Sequence, residues 1–433
     1  MSVKSVPKKG YKSVPWLFQK EIEIPEEWEV VFLKNIGQVN GRVGWKGYTQ
    51  EDFVEKGKGA ISLGVNNISK DNLLVTSQLT YVTWKKYDES PEIQVSKNDI
   101  IIAQRGSIGK IALIDQDLEK TTINPNVILL KNVKSSKKFI FYSLTSNNVS
   151  NQINRFISST TIPLLTQGQI NHFKLLIPTK KEQQQIASIL SNVDNLIQNT
   201  NKLIKKTTRL KKSLMQELFT RGIGHTKFKK VPWLFGKEIE IPEEWGSSKL
   251  KEVVILSQGL QVPEENQSSK KLDGYERFLR IVDYQEEIPP RYVEISKRQA
   301  ITNEKTIVMV RYGAGAGNVY TGLKGVIANN LFQIIPKKDN LKNNFLFIFL
   351  KRDFIENYLR NISGTTTMPN INHGLVYNLI ILLPPLPEQQ QIASILSNTD
   401  EKIQSYERYR QKLQNLKTSL MQKLLTGEVR VAV

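Results

Sequence analysis

EQQQIASILSNVD (Glu182–Asp194) returns, with one substitution, as EQQQIASILSNTD (Glu388–Asp400). Each copy opens a long stretch with apolar or tolerated residues at alternating steps of three and four. The first runs Ile186, Leu190, Val193, Ile197, Thr200, Ile204, Thr207, Leu214, Leu218. The second runs Ile392, Leu396, Thr399, Ile403, Tyr406, Leu413, Leu420, Leu424. That spacing is a coiled-coil seam. Lys211 and Arg410 interrupt it with polar side chains, which can fix register at some cost in stability. Thr179 and Glu182 make a capping-box pattern before the first helix. Pro384, Pro385 and Pro387 precede or open the second, where proline is tolerated.

A second pair of near-identical stretches lies upstream. PWLFQKEIEIPEEW (Pro15–Trp28) recurs as PWLFGKEIEIPEEW (Pro232–Trp245). The upstream pair stands 217 residues apart and the helical pair 206 apart, so the second copy has lost about eleven residues in between. Val65-Asn66-Asn67-Ile68 still matches Ile281-Val282-Asp283-Tyr284 at the longer offset, whereas Arg105–Gly109 matches Arg311–Gly315 at the shorter one. Most of the loss falls between about 69 and 104 of the first copy. Each repeat thus has near-identical ends and a divergent middle, as expected of one frame carrying two surface tasks.

The divergent middles read as mixed α+β. Asp99–Ala103, Ile111–Ile114 and Val127–Leu130 are short strand-like runs between turn residues, answered by Thr306–Val310 and Leu331–Ile335. Phe139–Asn147 is a short helix or an apolar packing segment. The first long helix leaves the first body and feeds the second, so pairing of the two helices requires an antiparallel return. About 38 residues give about 57 Å of helix, more than one ~34–36 Å turn of B-DNA. Tyr11–Pro15 matches Phe228–Pro232, so the second copy's exit, Thr426-Gly427-Glu428, is expected beside the first copy's entrance.

The 433 residues carry a formal net charge of +20, spread along the chain. That excess argues for a polyanionic partner, and with an internal two-fold repeat it points to double-stranded DNA. There is no cysteine, and His172, His225 and His373 lie far apart, so disulfides and cysteine-ligated zinc are excluded and no metal site is expected. No apolar run is long enough to span a membrane, which makes the cytoplasm the expected location.

Catalytic signatures are missing. Gly57-Lys58, Gly109-Lys110 and Gly236-Lys237 lack the Ser or Thr of a Walker A loop, and Gly313–Gly317 lacks dinucleotide-binding spacing. Asn124-Pro125-Asn126-Val127 has neither the second proline nor the aromatic of an amino-methyltransferase motif. Binding chemistry remains. Arg105 with Gly106, Ser107 and Lys110, and Arg311 with Tyr312 and Gly313, each end a strand in a Gly-rich turn. Such a guanidinium suits a phosphate or a base edge, or else braces the turn. Thr160, Thr161, Thr366 and Thr367 sit in polar loops as phosphate donors or loop formers. Asn66, Asn67, Asp283 and Tyr284 follow strands, as base-edge readers or as a simple turn.

The ordered set of motifs resembles the specificity (S) subunit of type I restriction–modification systems. It is carried by Glu23–Trp28 and Glu240–Trp245, by Ile177-Pro178 with Glu182–Leu190, by Leu383–Leu396, and by the helix ends Leu214-Met215-Gln216 and Leu420–Gly427. The resemblance implies an α+β chain of two similar target-recognition domains (1–178 and 222–384), joined and separated by two long antiparallel coiled-coil helices (179–221 and 385–433) in a pseudo-two-fold repeat. It further implies a non-catalytic subunit that reads a bipartite, asymmetric DNA target, one half-site per domain. The helices would set the spacer and dock two methyltransferase (M) subunits, with restriction translocase-nuclease (R) subunits joining them. No cofactor would be bound by this chain; S-adenosylmethionine, ATP and Mg would belong to the partners. The alternative reading is a stand-alone DNA-binding regulator or architectural protein.

Overall fold

The computed structural model of the chain describes residues 8–17, 20–42, 47–157, 163–295, 301–337, 339–363 and 370–432. Two compact units divide them. One joins residues 1–201 to 408–433, and the other holds 202–407. The boundary cuts through both long helices, Lys180–Leu218 and Leu386–Leu424, so neither helix is a body of its own.

Inside each unit, half of one helix runs antiparallel to half of the other. In the first unit Lys417 bonds Asp194 at 2.7 Å and Arg410 reaches Asn201 at 3.5 Å. Seven residues up one helix thus match seven residues down its partner. In the second unit Lys211 bonds Asp400 at 2.5 Å, the same pair shifted by one repeat. Both polar interruptions of the seam thus meet a polar partner on the other helix. Ile186, Leu190, Val193, Leu218, Ile392, Leu396, Leu413 and Leu424 are buried. Ile197, Ile204, Leu214, Ile403 and Leu420 are half-buried.

The units share one strand plan. A hairpin opens each, Tyr11–Pro15 with Glu21–Pro25 and Phe228–Pro232 with Glu238–Pro242. In the first unit one four-stranded sheet runs Gln38–Gly41, Val127–Lys131, Ile100–Ala103, Ile111–Leu113. Its counterpart runs Val254–Gln258, Leu331–Pro336, Ile307–Val310, Val319–Tyr320. A second four-stranded sheet in each unit mixes parallel and antiparallel pairs. The apolar segment Phe139–Leu144 lies in a helix, Lys137–Leu144, and its counterpart is Asn343–Leu350. Continuous runs such as Ile100–Ala103 are buried along their whole length, which explains why they do not alternate.

The near-identical ends of the repeats meet at a buried carboxylate. Glu182 is fully buried and accepts from the Trp28 indole at 3.2 Å and from Arg430 Nε at 2.6 Å. Glu388 does the same work in the second unit, accepting from Trp245 Nε1 at 2.9 Å, from the Ile223 amide at 2.8 Å and contacting His225 Nε2 at 2.9 Å. The capping pattern is formed in part. Thr179 Oγ1 accepts from the Glu182 amide at 3.4 Å and lies 3.3 Å from the Glu182 carboxylate, which also takes Trp28 and Arg430 as donors. The chain leaves each long helix through a left-handed glycine, Gly222 at φ +66° and Gly427 at φ +75°. A Cβ on Gly222 would strike Glu388 and Trp245, and one on Gly427 would strike Pro25. Tyr11 Oη donates to Gly427 O at 2.8 Å and Arg430 pairs with Glu27 at 3.1 Å, so the exit of the second copy lies against the entrance of the first.

Candidate nucleic-acid interface

The turn after the buried strand of each main sheet carries the candidate arginines. In the first unit Ala103 ends the strand, and Arg105, Gly106 and Ser107 are exposed. Gly106 and Gly109 sit at φ +73° and +82°, which the tight turn requires. Lys110 is half-buried and its amide bonds Ser107 O at 3.3 Å.

The second unit is built differently at the same place. Backbone pairing matches Val310 to Leu331 and Ala103 to Val127. Arg311 O accepts from the Ile371 amide at 2.9 Å, as Gln104 O accepts from Leu165 at 3.0 Å. The structural equivalent of Arg311 is therefore Gln104, and the Arg105–Arg311 alignment is off by one residue. Sequence matching failed because the second turn holds one residue more. Arg311 stacks on Tyr312, 4.7 Å from the ring centroid. Tyr312 is exposed and Gly313 is left-handed at φ +84°. The brace of this glycine-rich turn is Arg360, which donates to Ala314 O at 2.8 Å and Ala316 O at 3.2 Å. Nothing in the local sequence marks Arg360, because it comes from a helix more than forty residues away.

Several other candidates are committed inside the fold. Asn67 is buried, accepts from the Gly64 amide at 2.9 Å and donates to Val75 O and Gln78 O. Its counterpart Asp283 is buried and binds Arg277 at 3.2 Å and Arg280 at 2.9 Å. Tyr284 stacks on Tyr320, and burial pushes its phenol well above the ordinary range. Asn67 in the first unit, and Asp283 with Tyr284 in the second, belong to the simple-turn alternative. Asn66 alone of the set is exposed. Thr160, Thr161, Thr366 and Thr367 lie outside the described residues.

A protein-family model described as the type I restriction modification DNA specificity domain matches this chain twice, over residues 25–209 and 242–415. This chain belongs to that family. The type I restriction enzyme MjaVIII specificity subunit of Methanocaldococcus jannaschii is 27% identical over 453 residues, with 97% of each chain covered. The MjaIX specificity subunit of the same organism is 24% identical over 435 residues, covering 94% of this chain and 95% of that one. A crystal structure of a type I restriction-modification S subunit from M. genitalium has a TM-score of 0.57 at 15% identity, over 92% of this chain and 96% of that one. That likeness concerns the fold. The double match explains why each unit carries its own strand-ending turn and its own buried Trp–Glu pair. No helix among the described residues is long and apolar enough to cross a membrane.

Proposed function

We propose that this chain is the non-catalytic DNA-recognition subunit of a type I restriction–modification complex, reading a bipartite asymmetric target with one half-site per unit. The carrying observation is that the Arg-bearing turns differ between units while the frame beneath them is the same. An exposed Arg105 in one and a half-buried Arg311 beside an exposed Tyr312 in the other give the two units unlike contact surfaces on a common scaffold.

The helices supply the docking surface for methyltransferase subunits in this proposal. The first unit leaves Leu196, Tyr409 and Leu416 exposed, and the second leaves Leu203, Leu210 and Ile395 exposed. Leu203 and Leu210 stand at the repeat positions of Tyr409 and Leu416, so both copies keep apolar groups outward at matching heptad positions. S-adenosylmethionine, ATP and Mg would be held by the partners, with restriction subunits joining through them.

Exchanging the divergent middle of one repeat for that of another family member tests the reading. The methylated sequence should change in one half-site only, and the full-length chain should co-purify with an adenine methyltransferase. A change in both halves would refute modular reading. A stand-alone regulator would bind its site with no such partner.

A further inference from the structure

We infer that the second recognition unit contains a recessed seat for a DNA phosphodiester oxygen, formed by Arg311, Asn330 and His373. The inference rests on the DNA-recognition reading above and assigns this site its ligand chemistry.

Three buried polar atoms there have no hydrogen-bond partner among the described residues: Arg311 Nε, Asn330 Oδ1 and His373 Nε2. Their backbones run side by side. The Arg311 amide donates to Asn330 O at 2.9 Å, and Arg311 O accepts from Ile371, two residues before His373. Burial, and then the charge of Arg311, lower the basicity of the His373 ring, so the guanidinium lies within electrostatic reach of it. Arg277 and Arg280 are paired with Asp283, and Arg360 with Glu356 and the turn carbonyls. Arg277 Nε, Arg280 Nη2 and Arg352 Nη1 are likewise buried without a partner, but Arg311 alone of these groups has Asn330 and His373 beside it with unpartnered atoms of their own, and it meets no carboxylate among the described residues. Buried polar groups without partners are costly, and three of them on adjacent strands and a helix start make a place where a bound anion would restore the lost bonds.

The first unit supplies the control. At the equivalent positions stand Gln104 and Gln167. Gln104 Nε2 donates to Pro125 O at 2.6 Å and Gln167 Nε2 donates to Val39 O. Uncharged, satisfied side chains thus serve the common fold at this place, and the second unit departs from them. A base edge in a duplex groove is reached by side chains that protrude into it. A recessed cationic group instead receives what protrudes from the DNA, namely a phosphate oxygen. The neutral His373 ring donates through Nε2 in one tautomer, and the Asn330 amide can rotate to present its NH2.

The test uses the full-length chain and a fluorescein-labelled 30-base-pair duplex of arbitrary sequence, titrated by anisotropy across a series of KCl concentrations. Arg311→Gln should weaken binding and reduce the slope of log affinity against log salt by about 0.9, the value for one lost phosphate contact. Arg311→Lys keeps the charge and should keep the slope. His373→Gln should weaken binding with little change in slope. In parallel, inorganic phosphate should raise the melting temperature of the wild-type chain over chloride at equal ionic strength, and this gain should vanish in Arg311→Gln. An unchanged slope in Arg311→Gln overturns the seat, and if methylation then shifts at one base position the residue reads a base edge instead. Should the wild-type chain bind no duplex yet show the Arg311-dependent phosphate gain, the anion seat stands and the DNA-recognition reading fails. Absence of both ends the proposal.

Discussion

Replacing Glu182 by Ala removes the one acceptor that two distant parts of the first unit share. The carboxylate is fully buried, and the Trp28 indole that donates to it is equally buried. Without it the indole N–H has no acceptor, at a cost of about 1–3 kcal/mol. The Arg430 side chain is 35% exposed and can turn to water, so its loss adds at most about 1 kcal/mol. Glu182→Ala should therefore destabilise the first unit by about 1–4 kcal/mol, and Glu182→Gln, which keeps an acceptor, by about half that. Urea unfolding of the full-length chain, followed by tryptophan fluorescence, reads this out. The transition of the first unit should move to lower urea while that of the second stays in place; Glu388→Ala should do the converse. The second loss should be the larger, because the Ile223 amide and the Trp245 indole both lose their acceptor. If Glu182→Ala and Glu182→Gln cost the same, or either costs under about 0.5 kcal/mol, the shared-acceptor account is refuted.

Four further outcomes are expected. Gly222→Ala should cost about 1–3 kcal/mol, since it strains a left-handed backbone and drives a methyl into Glu388 and Trp245; a melting temperature within a degree of wild type would contradict this. Exchanging Lys211 and Asp400 for each other should restore most of what either single charge reversal loses, in a double-mutant cycle with a coupling of about 0.5–1 kcal/mol; no coupling would remove the pair as a register pin. Deleting one heptad from the first helix alone would break the match between Asp194–Lys417 and Lys211–Asp400, so a paired deletion in both helices is the informative one. It shortens them by about 10.5 Å and should shorten the spacer between methylated half-sites by about three base pairs; an unchanged spacer would refute the ruler role. Burial raises the Asp99 carboxyl above its ordinary range, so as pH rises the unfolded chain gives up this proton first and stability falls. Asp99→Asn keeps an acceptor for the Ser96 amide and should melt higher than wild type at pH 7, with the gap closing toward pH 3; equal melting at pH 7 would contradict it.

Much of this was readable in the chain. The repeats, the seam and the buried strands follow from apolar spacing, because a helix or strand must bury its own periodic face whatever else the chain does. Polar roles were legible only where the partner is local. The Asn67 and Asp283 turns are a case in which the local reading was left open and the structure closed it, by burying both side chains.

By itself the sequence determined a duplicated frame with two long helices, divergent middles and a basic surface. Only the tertiary structure decided that each compact unit takes half of both helices, that Gln104 rather than Arg105 answers Arg311, and that Arg360 braces the turn. It also decided that Glu182 serves Trp28 and Arg430, which stand 154 and 248 residues away. The physical reason is the same in each case. Periodic burial is written in neighbouring residues, whereas the partner of a buried charge and the register of a strand are set by groups brought together from far along the chain.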